Sequence, residues 1–189
     1  MNIALLIIDM QEDFLNESSP LFVKGGKDII PNIERLLSFF RKHNYPRIFV
    51  KREHRSEVDI DKPRIPYGGS VLLPNSKGAS IVKPLLPTES EIVVIKKRFS
   101  AFFHTELDLI LRRLHIDTLV ITGVQTPNCI RATAVDGLSY DYDIIIASDG
   151  TASSSYEIQK VNLLDLKNMG AKVLETHEII ELIKRIYNV

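Results

Sequence analysis

Several residue types are scarce or balanced in this 189-residue chain, and each shortage excludes a class of protein. A single cysteine excludes an internal disulfide framework and a cysteine-rich zinc site. No apolar run approaches the roughly 18 residues that a membrane-spanning helix needs. The 24 Lys and Arg residues equal the 24 Asp and Glu residues, so no net charge attracts nucleic acid, anionic lipid or acidic substrates. We therefore expect neither a nucleic-acid partner nor a membrane partner.

The sequence also lacks a recognisable secretory signal and a phosphate-binding loop. The apolar run at residues 4–8 is short, ends at Asp9 and has no basic leader, so we expect no secretory signal. We expect a cytoplasmic location, where a lone thiol stays reduced. No glycine-rich phosphate-binding loop of either standard pattern occurs, which argues against a nucleotide cofactor.

The composition and the pattern of apolar residues predict the fold. With 44% hydrophobic and 25% charged residues, the chain is typical of one globular domain, which we expect to span residues 1–189. Short β-branched or apolar runs predict six buried parallel strands, at residues 3–8, 47–50, 92–95, 118–122, 143–147 and 171–174. Because helical stretches separate most of them, we expect an α/β domain of three layers, α/β/α, with a mainly parallel six-stranded sheet.

Four helices are predicted from the spacing of apolar residues. The first helix has its apolar face at Ile29, Ile33, Leu36, Leu37 and Phe40, and Asp28 is placed to begin it. The second has Leu107, Ile110, Leu111 and Leu114, and the third has Val161, Leu164 and Leu166. A closing helix is predicted at residues 178–186. Residues 53–87 carry five of the nine prolines and few periodic cues. We interpret this segment as a long loop excursion with a turn or two of helix near Ala79.

Polar residues at the carboxyl ends of the strands are candidate site residues, because ligands of open parallel sheets bind there. Asp9 follows the first strand, Lys96 or Lys97 follows the third, and Cys129 lies just past the fourth. A carboxylate beside a thiol can act as its general base, and a lysine at the same edge can pair with both.

The segment before Cys129 predicts a helix start. Thr126 suits an N-cap and Pro127 suits the first helical position, which would place Cys129 in the first turn. There the helix dipole favours a thiolate, and free N–H groups could hold an oxyanion.

Each of the three residues also has a structural interpretation. Cys129 could be a small core residue, Asp9 could cap the next segment, and the lysines could belong to a solvated basic cluster. Their shared location at one sheet edge favours the catalytic interpretation.

Three segments together resemble the isochorismatase-like cysteine hydrolases, which include nicotinamidases, N-carbamoylsarcosine amidases and ureide or biuret hydrolases. They are residues 4–14 (ALLIIDMQEDF), 96–102 (KKRFSAF) and 123–129 (GVQTPNC). The resemblance covers nearly the whole chain and implies a Rossmann-like topology. It also implies a catalytic triad of Asp9, Lys96 and Cys129, because the family pattern of Lys, any residue, Arg, an aromatic and Ser-Ala-Phe selects Lys96 over Lys97.

The resemblance implies a cysteine-dependent amidohydrolase that cleaves a C–N bond of a small carboxamide, carbamoyl or ureide compound through a thioester. Cys129 would be the nucleophile, Asp9 the base and Lys96 the stabiliser. A cis peptide at Val124–Gln125 is implied, with the N–H groups of Gln125 and Cys129 forming an oxyanion hole. The family commonly forms dimers or tetramers, so we expect a homo-oligomer.

Substrate-binding and metal-binding residues are predicted from the neighbourhood of the triad. Gln11, Phe14 and Phe102 are candidates for contacting the small-molecule substrate. Family nicotinamidases bind a metal through an Asp-x-His motif and a second nearby histidine, whereas residues 49–59 contain only His54. We therefore expect no metal and no other cofactor. Arg52 or Arg55 could bind a substrate carboxylate, or could simply end a strand at the surface.

Two other functions stay open at this point. One is vinyl-ether hydrolysis of an isochorismate-like substrate, which need not use the thiol. The other is a non-catalytic binding or assembly protein on the same scaffold, in which Cys129 is a packed residue. The retained cysteine favours C–N hydrolysis over the first, and the intact triad argues against the second.

Overall fold

A six-stranded parallel sheet forms the centre of the computed structural model, which describes residues 2–55, 58–62 and 71–188. The strands are β1 (Ile3–Ile8), β2 (Arg47–Arg52), β3 (Ile92–Lys96), β4 (Thr118–Val124), β5 (Asp143–Ala152) and β6 (Lys172–Leu174). Their order across the sheet is β3-β2-β1-β4-β5-β6, and every pairing is parallel. The predicted α/β fold with a parallel six-stranded sheet is confirmed.

Helices cover both faces of this sheet. They are α1 (Glu12–Leu15), α2 (Ile30–Lys42), α3 (Leu107–Arg113), α4 (Arg131–Ser139), α5 (Tyr156–Asn168) and α6 (Thr176–Tyr187), with a 3-10 helix at Lys83–Leu85 and a π-helical turn at Thr126–Ile130. Alternate residues of β1 divide the core. Ile3, Leu5 and Ile7 pack on the side of α2 and α6, and the residues between them pack on the side of α3 and α4. No helix of the described part is long and apolar enough to cross a membrane.

One local prediction was wrong, and another was displaced by a few residues. Helix α2 begins at Ile30 with Ile29 in the cap position and Pro31 in the first turn, so Asp28 does not cap it. Ala79 itself lies in a turn, and the short helix expected near it is a 3-10 turn at Lys83–Leu85. Proline fits the first turn of a helix because its missing N–H has no partner to lose there, and this explains both helix starts.

The carboxyl ends of β1 and β4 approach each other unusually closely. Gly123 pairs with Ile8 across the two strands and has a φ of +111°. A Cβ atom at Gly123 would lie 1.9 Å from the carbonyl oxygen of Ile8, so only glycine fits. This close approach sets Asp9, which follows Ile8, beside the turn that carries Cys129.

Candidate active site

Three buried side chains from three different elements meet at the carboxyl edge of the sheet. The Nζ atom of Lys96, the last residue of β3, lies 2.8 Å from Oδ2 of Asp9 and 3.3 Å from Sγ of Cys129. Asp9 and Lys96 have no exposed surface, and Cys129 is 3% exposed. The structure thus brings together the carboxylate, the ammonium group and the thiol that the sequence placed at this edge.

The ammonium group of Lys96 makes one ion pair and two hydrogen bonds. Besides Asp9 and Cys129, it donates a hydrogen bond to the carbonyl oxygen of Arg98 at 3.0 Å. These contacts hold the ammonium group between the carboxylate of Asp9 and the sulfur of Cys129. Lys97 points elsewhere and lies 3.4 Å from the carboxylate of Asp59. Lys96 is therefore the lysine that belongs to the site.

Cys129 lies in a π-helical turn that continues directly into α4. Gln125 occupies the cap position, and Thr126 is the first residue of the turn, so the predicted N-cap at Thr126 was wrong. The hydroxyl of Thr133, one turn further on, donates to the carbonyl oxygen of Cys129 at 2.7 Å and accepts the N–H of Ala101 at 2.9 Å. Thr133 thereby ties the cysteine turn to the segment that follows Lys96, a role that the sequence reasoning missed.

The thiol of Cys129 is harder to ionise than a free cysteine. Burial and the negative charge of Asp9 raise the pKa of Cys129 to about 11, against smaller opposing effects of Lys96 and Arg52. The expectation that the start of a helix favours the thiolate was therefore wrong for the protein at rest. The thiol of Cys129 therefore keeps its proton and lies beside the carboxylate of Asp9, which is the arrangement that general-base activation requires.

The backbone around Gln125 has the form that the resemblance implied. The peptide bond between Val124 and Gln125 is cis. The carbonyl oxygen of Gln125 accepts the N–H groups of Asn128 and Ile130 at 3.1 and 3.2 Å, which closes the turn around Cys129. The N–H groups of Gln125 and Cys129 both belong to this short segment. Their role as an oxyanion hole stays a prediction.

The predicted substrate-binding residues lie in three different environments. Gln11 is buried, and its side chain exchanges hydrogen bonds of 2.8–2.9 Å with the backbone of Arg52 and Ala79. Phe14 is enclosed in the core on the α2 side of the sheet. Phe102 belongs to the apolar cluster that contains Cys129, and its ring lies 5.4 Å from that of Tyr140. Gln11 therefore joins β2 to the loop near residue 79, and substrate contact by any of the three stays a prediction.

A second buried cluster lies next to the triad and was only partly anticipated. The guanidinium group of Arg52 donates to Nε2 of His54 at 3.1 Å and to Oδ1 of Asp61 at 2.6 Å. Arg52 and His54 have no exposed surface, and Asp61 is 8% exposed. The sequence reasoning considered Arg52 but missed Asp61, which lies in the aperiodic excursion. Within the described ranges, no group of three or more His, Cys, Asp or Glu residues could hold a metal ion.

A family match identifies the chain. The sequence profile of the Isochorismatase domain matches residues 3–178. The chain belongs to the isochorismatase family. This family consists of hydrolases, and the resemblance seen in the three sequence segments is confirmed.

Individual relatives of this isochorismatase-family chain agree with that assignment. A protein of Arabidopsis thaliana described as a probable inactive nicotinamidase is 42% identical over 184 residues, which cover 94% of each chain. The N-carbamoylsarcosine amidase of an Arthrobacter species is 26% identical over 94% of this chain and 70% of its own. The crystal structure of an isochorismatase family protein from Desulfovibrio vulgaris has a TM-score of 0.92 and 36% identity, covering 96% of this chain and 98% of its own.

Proposed function

We propose that this isochorismatase-family hydrolase is a cysteine-dependent amidohydrolase that cleaves a C–N bond of a small carboxamide, carbamoyl or ureide compound. One observation carries the proposal: the ammonium group of Lys96 contacts both the carboxylate of Asp9 and the sulfur of Cys129 inside a buried site. A thiol, a base and a cation at hydrogen-bonding distance are what nucleophilic attack on a carbonyl group requires.

In the first half of the reaction, Asp9 takes the proton of the Cys129 thiol, and the sulfur attacks the carbonyl carbon of the substrate. The C=O electron pair moves to the oxygen, which the N–H groups of Gln125 and Cys129 stabilise. When this pair returns, the C–N bond breaks. Asp9 gives its proton to the departing nitrogen, so ammonia or an amine leaves and a thioester remains on Cys129.

In the second half, water attacks the thioester carbon while Asp9 accepts a proton from it. The C–S bond breaks, the acid is released, and the proton returns to the sulfur of Cys129. Lys96 contacts both partners of these proton transfers, so its positive charge balances the negative charge whether Asp9 or Cys129 carries it. The negative charge therefore stays next to the same cation when a proton moves between Asp9 and Cys129.

The relatives support the carbamoyl or ureide class of substrate. The Arthrobacter relative is an N-carbamoylsarcosine amidase, and an enzyme with this name hydrolyses a C–N bond of a carbamoyl compound. The Arabidopsis relative is described as a probable inactive nicotinamidase. We therefore propose carbamoyl and ureide compounds ahead of nicotinamide.

The test is turnover of a panel of small carbamoyl, ureide, carboxamide and vinyl-ether compounds by the parent and by Cys129→Ala. We expect ammonia or amine release by the parent and a loss of about 10³-fold or more in the variant. Retained hydrolysis of a vinyl ether by Cys129→Ala would favour the isochorismatase reaction instead. No turnover of any compound by a folded parent protein would favour a binding scaffold.

We also propose that the protein forms a homo-oligomer through α5. Exposed apolar side chains cluster on and beside this helix: Tyr156, Ile158, Val161, Leu164 and Met169. The equal numbers of basic and acidic residues leave no net charge to oppose contact between two copies. Light scattering on the parent and on Val161→Asp tests this, with Leu109→Asp on α3, a comparably exposed apolar position, as the control. A monomeric parent, or dissociation by the control alone, would contradict it.

A further inference from the structure

The buried arginine beside the triad has a charge and a position that the hydrolytic steps do not use. Arg52 is the last residue of β2 and pairs with Lys96 of β3 in the parallel register. Paired residues of neighbouring strands lie about 4.8 Å apart and point to the same face of the sheet. The side chain of Arg52 therefore leaves the sheet beside the lysine that contacts Cys129.

The guanidinium group of Arg52 is held in place on several sides. Its Nε atom donates to His54, and its Nη2 atom donates to Asp61 and, at 3.3 Å, to the carbonyl oxygen of Lys97. Its central carbon lies 5.2 Å from the centre of the Phe99 ring. These contacts fix the plane of the guanidinium group, and the whole side chain remains buried.

One nitrogen of this fixed group remains unused. The Nη1 atom of Arg52 is buried and has no hydrogen-bond partner among the described residues. An unpaired buried donor is unfavourable, and more so when it is charged, so such a group is expected to meet an acceptor when the site is filled. The positive charge of Arg52 also acts on the Cys129 thiol, which places the guanidinium within electrostatic reach of the nucleophile.

We infer that Nη1 of Arg52 binds a carboxylate of the substrate and selects compounds that carry this group next to the scissile C–N bond. A guanidinium nitrogen forms its strongest hydrogen bonds with carboxylate oxygens. The inference rests on the proposed function, because it assumes that substrate reacts at Cys129. Arg55, the other arginine of this segment, is exposed, and its Nε atom donates to the carboxylate of Asp59 at 2.8 Å. It is therefore not a buried cation like Arg52.

Two thiol reagents of nearly equal shape test the inference without turnover. Iodoacetate and iodoacetamide both alkylate sulfur with loss of iodide, but only iodoacetate carries a carboxylate. The ratio of their rate constants at Cys129 is independent of the thiolate fraction, which Arg52 also affects. We expect the rate constant for iodoacetate, divided by that for iodoacetamide, to fall about tenfold or more in Arg52→Gln, as for the loss of one charge-assisted hydrogen bond. In the control Arg55→Gln this ratio should stay within about twofold of the parent value.

A second variant keeps the test valid if Arg52→Gln does not fold. Arg52→Lys keeps the charge but lacks the planar fork, and we expect it to lower the ratio by about threefold or more. A parent-like ratio in folded Arg52→Gln or in Arg52→Lys would overturn the inference and leave the nucleophile intact. A thiol that reacts with neither reagent would overturn the proposed function, and the inference with it.

Discussion

Lys96 donates a hydrogen bond to the sulfur atom of Cys129 across 3.3 Å, although 33 positions separate the two residues in the chain. The same ammonium group lies 2.8 Å from the carboxylate of Asp9. Because a single cation contacts both acidic groups, one proton can pass between them at little electrostatic cost. In the proposed reaction, this arrangement would let a thiol with a raised pKa act as a nucleophile.

Replacement of Asp9 by asparagine separates ionisation of the thiol from catalysis. The charge of Asp9 raises the pKa of Cys129, so Asp9→Asn lowers this pKa and increases the thiolate fraction. Without the base, we still expect kcat on the proposed substrates to fall about 10²–10⁴-fold. Steady-state kinetics check this, with Glu12→Gln as a neighbouring control that should keep near-parent turnover. Undiminished turnover in Asp9→Asn would show that Asp9 is not the base.

Much of the fold and the location of the site could be predicted from the sequence. The strands were visible because buried parallel strands are continuous apolar runs, and each predicted strand overlaps an observed one. The observed strands β2 and β3 extend further at their carboxyl ends, to Arg52 and Lys96, because polar residues end the apolar pattern before the hydrogen bonding stops.

The parts that could not be predicted depend on contacts between distant segments. Asp61 lies in a stretch without periodic apolar residues, and its contact with Arg52 depends on how that stretch folds back towards β2. The backbone hydrogen bonds of Gln11 likewise depend on where Ala79 is placed. The pKa of Cys129 does not follow from its position at the start of a helix, because burial and the charge of Asp9 raise it. Val161 and Leu164, whose spacing predicts the apolar face of a helix, are exposed on α5.

Gly123 is expected to be essential for stability as well as for the shape of the site. Gly123→Ala would place a Cβ atom 1.9 Å from the backbone of Ile8, in addition to straining a positive φ. We expect a loss of about 3 kcal/mol or more in the free energy of unfolding in urea. Gly170→Ala is the matched control: its φ of +109° is similar, but its Cβ would meet no atom within 4 Å, so about 1–2 kcal/mol is expected. Equal losses in the two variants would contradict the steric argument.

Glu91 gives the fold a defined dependence on acidity. Burial alone would raise the pKa of Glu91, but hydrogen bonds from Arg41, Thr88 and Arg47 lower it to about 2. A lowered pKa stabilises the folded state above the ordinary value of 4.5, and this stabilisation disappears as the pH falls from 4.5 towards 2.

We therefore expect Glu91→Gln to cost about 1–2 kcal/mol of unfolding free energy at pH 7, since the arginine partners are partly exposed. The difference from the parent should shrink progressively below pH 4.5. Urea unfolding at pH 7, 4 and 3 measures it. The exposed neighbour variant Glu89→Gln should match the parent at each pH. A penalty for Glu91→Gln that is constant with pH would argue against the charged pairing.

The pH dependence of Cys129 alkylation by iodoacetamide tests the central claim, that Asp9, Lys96 and Cys129 form one electrostatic unit. For the parent, the rate should still be rising well above pH 9, with a midpoint near pH 11. Asp9→Asn should move the midpoint down, because it removes a negative charge, and Lys96→Met should move it up, because it removes a positive one. An ordinary midpoint near 8.5 that neither substitution moves would contradict the account.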